Sequence, residues 1–320
     1  FLQGQTAENL RKDLSDTSSG QDRPTCVGYS EIDKHAIQIY QKHFPNHKNY
    51  GDIKTINEYD LPDFDFLCGG FPCQSFSIAG KRKGFYDTRG TLFFDIARIL
   101  RAKLPRLFLL ENVKGLLSHD NGQTFSTIIS TLTELGYDLQ WQVLNSKNFG
   151  VPQNRERVFI VGHLRGTPRP KVFPIGETNP TINEGLEQDN TKSEVVSTVR
   201  SRYGNGTGSH ISQLNNPTHS NNRKIVQPVL TPDRLEKRQN GRRFKEDGEP
   251  SFTLTSQDKH GVFDGAKIRR LTPTECERLQ GFPDGWAEGV SDSQKYKTLG
   301  NAVTVNVVQN IMERILSINF

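Results

Sequence analysis

The chain has 320 residues, a net charge of +5 and 33% hydrophobic residues, with an isoelectric point near 8.9 and a mean hydropathy of −0.64. That length suits one large domain or two, and the low hydrophobicity and basic balance imply a polar surface leaning towards polyanionic partners. No apolar run reaches membrane-spanning length, no signal peptide is evident, and Cys26, Cys68, Cys73 and Cys276 form no CxxC pair, so the reading expects no membrane contact, no metal site, and free thiols in a reducing cytoplasm.

Residues 1–24 are polar. Thr25 to Glu31 reads as a strand ending in a carboxylate, followed by a helix from Asp33 to His43 with Ala36, Ile37 and Tyr40 on one face. An acid at such a strand end is where nucleotide-binding folds hold ribose hydroxyls, and also where an ordinary helix cap sits. Gly51-Asp52-Ile53 reads as a further strand end or a turn.

Phe64 to Cys68 is a short apolar run stopped by Gly69 and Gly70. Phe71-Pro72 then fixes the backbone directly before Cys73. This pattern presents one reactive side chain at the carboxyl end of a strand; a tight turn with a buried, inert thiol is the alternative. Ser77 to Gly90 follows, rich in glycine and carrying Lys81, Arg82, Lys83 and Arg89. It reads as a loop that closes over a polyanion, or as a solvated surface loop.

Thr91 to Lys103 has the periodicity of a half-buried helix, and Leu107 to Leu110 that of a strand covered on both faces. That strand ends in Glu111-Asn112-Val113, and a carboxylate there is costly unless paired or used. A helix over Phe125–Leu135 and a strand over Gln140–Leu144 complete a βαβ rhythm, which predicts a parallel sheet. Before the strand Val158–Val161, alternation places Gln153, Arg155 and Arg157 on one side. That side suits a base or a phosphate, or else gatekeeps an edge strand.

From about Leu164 to Val262 the composition turns polar and basic, with Arg200, Arg202, Arg223, Lys224, Arg242 and Arg243 among its cations and Ser251–Thr255 as one strand. It reads as a small inserted domain. Regularity returns at Thr272-Pro273-Thr274-Glu275, a capping box with proline at the first helical position, opening a helix to Leu279 that Gly281-Phe282-Pro283 ends. Gly300-Asn301-Ala302-Val303 leads into a last helix with Val305, Val308, Ile311, Ile315 and Leu316 along it.

In this order, Glu31, Asp52-Ile53, Phe71-Pro72-Cys73-Gln74, Glu111-Asn112-Val113, Gln153-Asn154-Arg155-Glu156-Arg157, Arg270-Leu271-Thr272 with Gly281-Phe282-Pro283, and Gly300-Asn301-Ala302-Val303 resemble the S-adenosylmethionine-dependent DNA (cytosine-5) methyltransferases. The resemblance implies an α/β, Rossmann-like methyltransferase sheet. It further implies a catalytic and cofactor domain over residues 1–163, a smaller, mostly irregular or β target-recognition domain over 164–262, and a return segment over 263–320. It implies Cys73 as nucleophile on cytosine C6, with Glu111, Arg155 and Arg157 as the other catalytic residues. Cofactor contacts carried over are Glu31, Ile32, Asp52, Ile53, Phe71, Pro72, Asn301 and Ala302. DNA contacts carried over are Gln74, Ser77, Lys81, Arg82, Lys83, Arg89, Gln153, Thr253 and Leu254. A stacked base cannot reach such a site, so base flipping is implied. The expected partner is double-stranded DNA, beside a restriction endonuclease acting separately, with a monomeric enzyme of bacterial or phage origin.

One departure stands out. The family's Phe-x-Gly-x-Gly turn is represented by Phe1-Leu2-Gln3-Gly4-Gln5-Thr6, with one glycine, so the first strand and its turn are expected to be missing or degenerate. A catalytically impaired DNA-binding relative and an enzyme acting on transfer RNA are the competing readings.

Overall fold

The computed structural model describes residues 24–72, 92–176, 227–233, 242–246, 248–263 and 267–317. Of the expected site residues, Cys73, Gln74, Ser77, Lys81, Arg82, Lys83 and Arg89 lie outside the described residues, as does the segment of the glycine turn.

Four strands build the main sheet: β1 (Phe66–Gly70), β2 (Leu107–Val113), β3 (Tyr137–Asn145) and β4 (Glu156–Leu164), in the order β1-β2-β4-β3. Around them stand α1 (Lys34–His43), α2 (Leu92–Lys103) and α3 (Gln123–Glu134). The β1-α2-β2 unit is parallel as expected, but β2–β4 and β3–β4 are antiparallel, so the sheet is mixed. The cause is the connection from β3 to β4, which runs only from Ser146 to Arg155. Parallel strands need a longer crossover, so β4 folds back. It inserts between β2 and β3, which makes it an interior strand and removes the edge-strand reading of its charges.

Both faces of β2 are covered. Leu107 and Leu109 pack in one core with Phe159, Val161 and the helix α6 (Val305–Leu316), through Val307, Val308, Ile311 and Ile315. Phe108 and Leu110 pack in a second core with Phe93, Ile96 and Leu100 of α2 and with Ile128 and Leu132 of α3. Each such side chain contributes roughly 1.5–3 kcal/mol on burial. Gly162 is required at its place, because a Cβ there would lie 2.2 Å from the Phe108 ring.

Three expected boundaries change. The glycines after Cys68 belong to β1 rather than ending it. Thr25–Glu31 makes one parallel bridge, Tyr29 to Asn49, instead of a strand. The change of composition at residue 164 is not matched by a change in packing there: β4 runs to Leu164, and Val172, Phe173 and Ile175 join the first core. This segment lies against one face of β3. Gln140 donates to the Pro170 carbonyl and accepts from the Val172 and Phe173 amides, while Gln142 both donates to and accepts from the backbone of Ile175.

A second, antiparallel sheet joins β5 (Gln227–Leu230), β6 (His260–Phe263) and β7 (Ile268–Arg270), so it straddles the expected limit at residue 262. Ser251–Thr255 is extended but forms a bridge to Gln153 rather than a strand. After it come α4 (Pro273–Leu279), whose capping box is formed by Thr272 and Glu275 as read, and α5 (Asp292–Asn301). The sequence reading missed α5, which buries only Thr298, Leu299 and Gly300 and so has little apolar periodicity. Among the described residues no helix is long and apolar enough to cross a membrane.

Candidate active site

Glu111 and Arg157 occupy the same face of neighbouring strands. The register places Glu111 opposite Phe159 and Val113 opposite Arg157, which makes Glu111 and Arg157 a diagonal cross-strand pair. The Arg157 Nε lies 2.9 Å from Glu111 Oε1, and each side chain is 16% exposed. Burial pushes the Glu111 carboxyl upwards, against the opposing pull of the Arg157 and Arg155 charges. The carboxyl therefore holds a proton more readily than a solvated one. Arg157 also donates through Nη1 to the Glu156 carbonyl at 2.8 Å, and Nη2 makes no bond among the described residues. The Glu156 carboxylate is taken up by Lys114, at 2.9 and 3.0 Å, and so leaves Glu111 as the carboxylate partner of Arg157.

The end of β1 is fitted to this pair. Gly70 is the parallel partner of Glu111, and a Cβ on it would lie 3.2 Å from Glu111 Oε2. The buried Asn112 amide donates to the Phe71 carbonyl at 2.7 Å, and Phe71 itself packs 5.4 Å from the Phe93 ring. Phe71 is thus an anchored core residue, whereas Pro72 is exposed. The chain leaves this anchor two residues before Cys73. Of the described cysteines, burial raises the thiol pKa of Cys68, and that of Cys276 to about 12; both are of the inert kind.

Arg155 and Gln153 share the face of Arg157 as read, but not its surroundings. Arg155 is 2% exposed. Its Nη1 donates to the Leu254 carbonyl at 2.8 Å and its Nη2 to the Ala302 and Gly300 carbonyls at 2.8 and 3.3 Å. Burial, and next the Arg157 charge, bring its pKa down to about 9, which leaves it protonated at neutral pH. Gln153 is 0% exposed, donates to the Leu279 carbonyl and to Gln280 Oε1, and accepts from the Leu254 amide at 2.8 Å. The catalytic contact expected of Arg155 and the DNA contact expected of Gln153 are therefore corrected: both side chains are taken up inside the protein, Arg155 by carbonyls and Gln153 by backbone groups and Gln280. Leu254, 3% exposed, is likewise a core residue rather than a DNA-facing one. Thr253, partly exposed, donates to the Asn154 carbonyl.

The expected cofactor residues fall into two places. Glu31 Oε1 accepts from the Ile32 and Asp33 amides at 2.8 and 2.9 Å, leaving Oε2 without a partner among the described residues. Ile32 is 71% exposed beside it. Asp52 caps a short turn, Ile53–Thr55, and Ile53 packs against the second core. Asn49 ties these two segments, bonding both backbone groups of Glu31 and the Gly51 amide, a role that nothing in the sequence pattern signalled. Asp33 caps α1 and pairs with Lys297 of α5 at 2.6 Å, which holds its carboxyl below the usual range. Asn301 is exposed at the end of α5, while Ala302 is buried and its carbonyl serves Arg155 and Gln280.

A family model described as C-5 cytosine-specific DNA methylase matches residues 10–317. The orphan methyltransferase M.SPRI of Bacillus phage SPR is 35% identical over 401 residues, which covers 91% of each chain. The type II methyltransferase M.HhaI of Haemophilus parahaemolyticus is 38% identical over 307 residues, 92% of this chain and 89% of its own. Among solved structures, the S. pombe Dnmt2 methyltransferase shares the fold, with a TM-score of 0.59 at 20% identity and coverage of 98% and 96%.

Proposed function

The chain belongs to the C-5 cytosine-specific DNA methylases and is a DNA cytosine methyltransferase; from that premise we propose that it transfers a methyl group from S-adenosylmethionine to C5 of a flipped-out cytosine in one double-stranded DNA sequence, with Cys73 as nucleophile. The observation that carries the site assignment is the Glu111–Arg157 pair at 2.9 Å beside Gly70, at the end of the strand that leads to Cys73.

Cytosine C5 is a weak nucleophile. Addition of the Cys73 thiolate to C6 forms a C–S bond and moves the ring's electrons towards C5 and N3. Glu111, whose burial favours its protonated form, donates to N3 as that charge develops. Arg157 orients Glu111 through Nε and offers Nη2 to the base carbonyl, stabilising the same charge. After methyl transfer, C5 gives up its proton and the C–S bond breaks, which returns the thiolate.

The donor set at Glu31 fits a nucleoside. One carboxylate oxygen is fixed by two amides, the other is left for hydroxyls, and the exposed Ile32 supplies an apolar face. Glu31 and Ile32, with Asp52 and Ile53 on the segment that Asn49 ties to them, would hold the cofactor. When bound, it supplies an activated methyl group on sulfonium. Relatives carry both type II and orphan names, which supports protective methylation beside a restriction endonuclease as one setting for the activity.

Bisulfite sequencing of duplex DNA incubated with the chain and S-adenosylmethionine tests this reading. Methylated cytosine is expected in one sequence context, and none with Cys73→Ala. A duplex carrying 5-fluorocytosine at that position cannot lose a proton from C5, so it should remain covalently attached to the wild-type chain. Undiminished transfer by Cys73→Ala would refute the nucleophile.

A further inference from the structure

Residues 251–255 run along the segment 152–155 that enters β4, and the contacts between them are unusually complete. The Ser251 amide donates to the Pro152 carbonyl at 2.8 Å, and the Asn154 amide donates to the Ser251 carbonyl at 3.0 Å. Thr253 donates to the Asn154 carbonyl. The Leu254 amide is met by the Gln153 side chain, and the Leu254 carbonyl by the Arg155 guanidinium. Both backbone groups of Leu254 are thus read by side chains of β4's approach. On the far side, Gly300 lets the backbone come close: a Cβ there would lie 2.3 Å from the Thr255 carbonyl carbon and 2.6 Å from the Ser256 amide nitrogen. Arg155 closes the bracket by also holding the Gly300 and Ala302 carbonyls.

Arg157, two residues beyond Arg155 on the same face of the strand, carries the pair with Glu111. A shift of 251–255 along this track therefore moves either that segment or the strand that bears Arg157.

We propose that Gln153 and Arg155 are positioning residues which fix the register of the 251–255 segment against the Glu111–Arg157 pair, so that sequence discrimination and catalysis share one rigid offset. Neither residue touches DNA or the reacting base. The inference rests on the function proposed above and assigns a specificity role within it. The energetic sense is that a planar guanidinium on three carbonyls has one geometry, whereas a lysine at the same place is a point donor with several. A flexible bracket lets near-cognate sequences settle as well as cognate ones.

The test compares kcat and KM on the cognate duplex with those on a duplex carrying one mismatched recognition base. Arg155→Lys and Gln153→Met are expected to lower the cognate-to-mismatch ratio of kcat/KM by about tenfold or more, chiefly through KM. Tyr137→Phe serves as a control, because it removes a buried hydrogen bond to the Pro105 carbonyl in the second core without touching Gln153, Arg155 or 251–255. It is expected to lower the melting temperature while leaving the ratio within about twofold. A fall in kcat for Arg155→Lys with an unchanged ratio would mean that Arg155 contacts the base, and would overturn the proposal. Should both variants fail to fold, Gly300→Ala keeps both side chains and presses on the backbone of Thr255 and Ser256. The same loss of ratio is expected, and an unchanged ratio overturns the proposal. Absence of methyl transfer by the wild-type chain would overturn the function and this inference together.

Discussion

The Asn112 side chain joins two strands at the site: its amide donates to the Phe71 carbonyl at 2.7 Å while its oxygen accepts from the Val113 amide at 2.8 Å. The strand that carries Glu111 therefore also holds the point from which the chain proceeds to Cys73. Asn112→Ala would leave a buried carbonyl and an amide unpaired. We expect a loss of about 1–3 kcal/mol in urea unfolding and a fall in kcat of more than about tenfold. Wild-type turnover in the variant would show that this anchor does not set the place of Cys73, the proposed nucleophile.

Glu111→Gln keeps the shape of the side chain and removes its proton donor. Methyl transfer should drop by about 10²–10⁴-fold, the range for loss of a positioned acid. Stability gives an independent check. Because burial raises the Glu111 pKa, the folded chain binds that proton more tightly than the unfolded chain does. The stability from this group is complete below its ordinary value of 4.5 and is lost as pH rises through the raised one. Urea denaturation across about pH 4.5 to 8 should therefore show wild type losing ground to Glu111→Gln as pH increases. A constant difference would mean that the carboxyl is not titrating.

His260 has the opposite sign. Burial brings its pKa down from 6.5 to about 4, and its Nε2 accepts from the Thr255 amide at 3.4 Å. The folded state takes the proton less readily, so this contribution is full above pH 6.5 and is lost as pH falls towards 4. The whole effect is about 3 kcal/mol. His260→Gln, which retains an acceptor, should flatten the acid limb of the stability curve between these values. An unchanged acid limb would refute the role.

Gly162→Ala tests the packing beneath the site. The added methyl would meet the Phe108 ring, which is 0% exposed and packed edge-on to Tyr137. Overpacking of this kind costs about 1–3 kcal/mol. The variant should melt several degrees lower, and a wild-type melting temperature would show that β2 and β4 can move apart at no cost.

Glu111 was readable because a carboxylate follows four apolar residues, and α4 because Thr272, Pro273 and Glu275 satisfy a local capping rule. Such features depend on neighbours in sequence. The direction of β4 was also implicit in the short span from Ser146 to Arg155, although the βαβ rhythm before it suggested otherwise. What stayed hidden was the covering of one face by chain far away. Alternation placed Gln153, Arg155 and Arg157 together correctly, yet only the arrival of Leu254, about a hundred residues later, decides that the first two point into protein. The tie made by Asn49 and the buried Gln280–Thr304–Ser146 network are of the same kind.

The clips at Ile175 and Ser251 have an evolutionary reading. Gln142 grips both backbone groups of Ile175, and the Pro152–Asn154 backbone grips Ser251. The chain between them departs from and returns to fixed posts on the body. Its length can change at a closure cost of only about 0.6 kcal/mol per doubling. Changes of length between the posts can thus be absorbed without disturbing the sheet that carries Glu111 and Arg157.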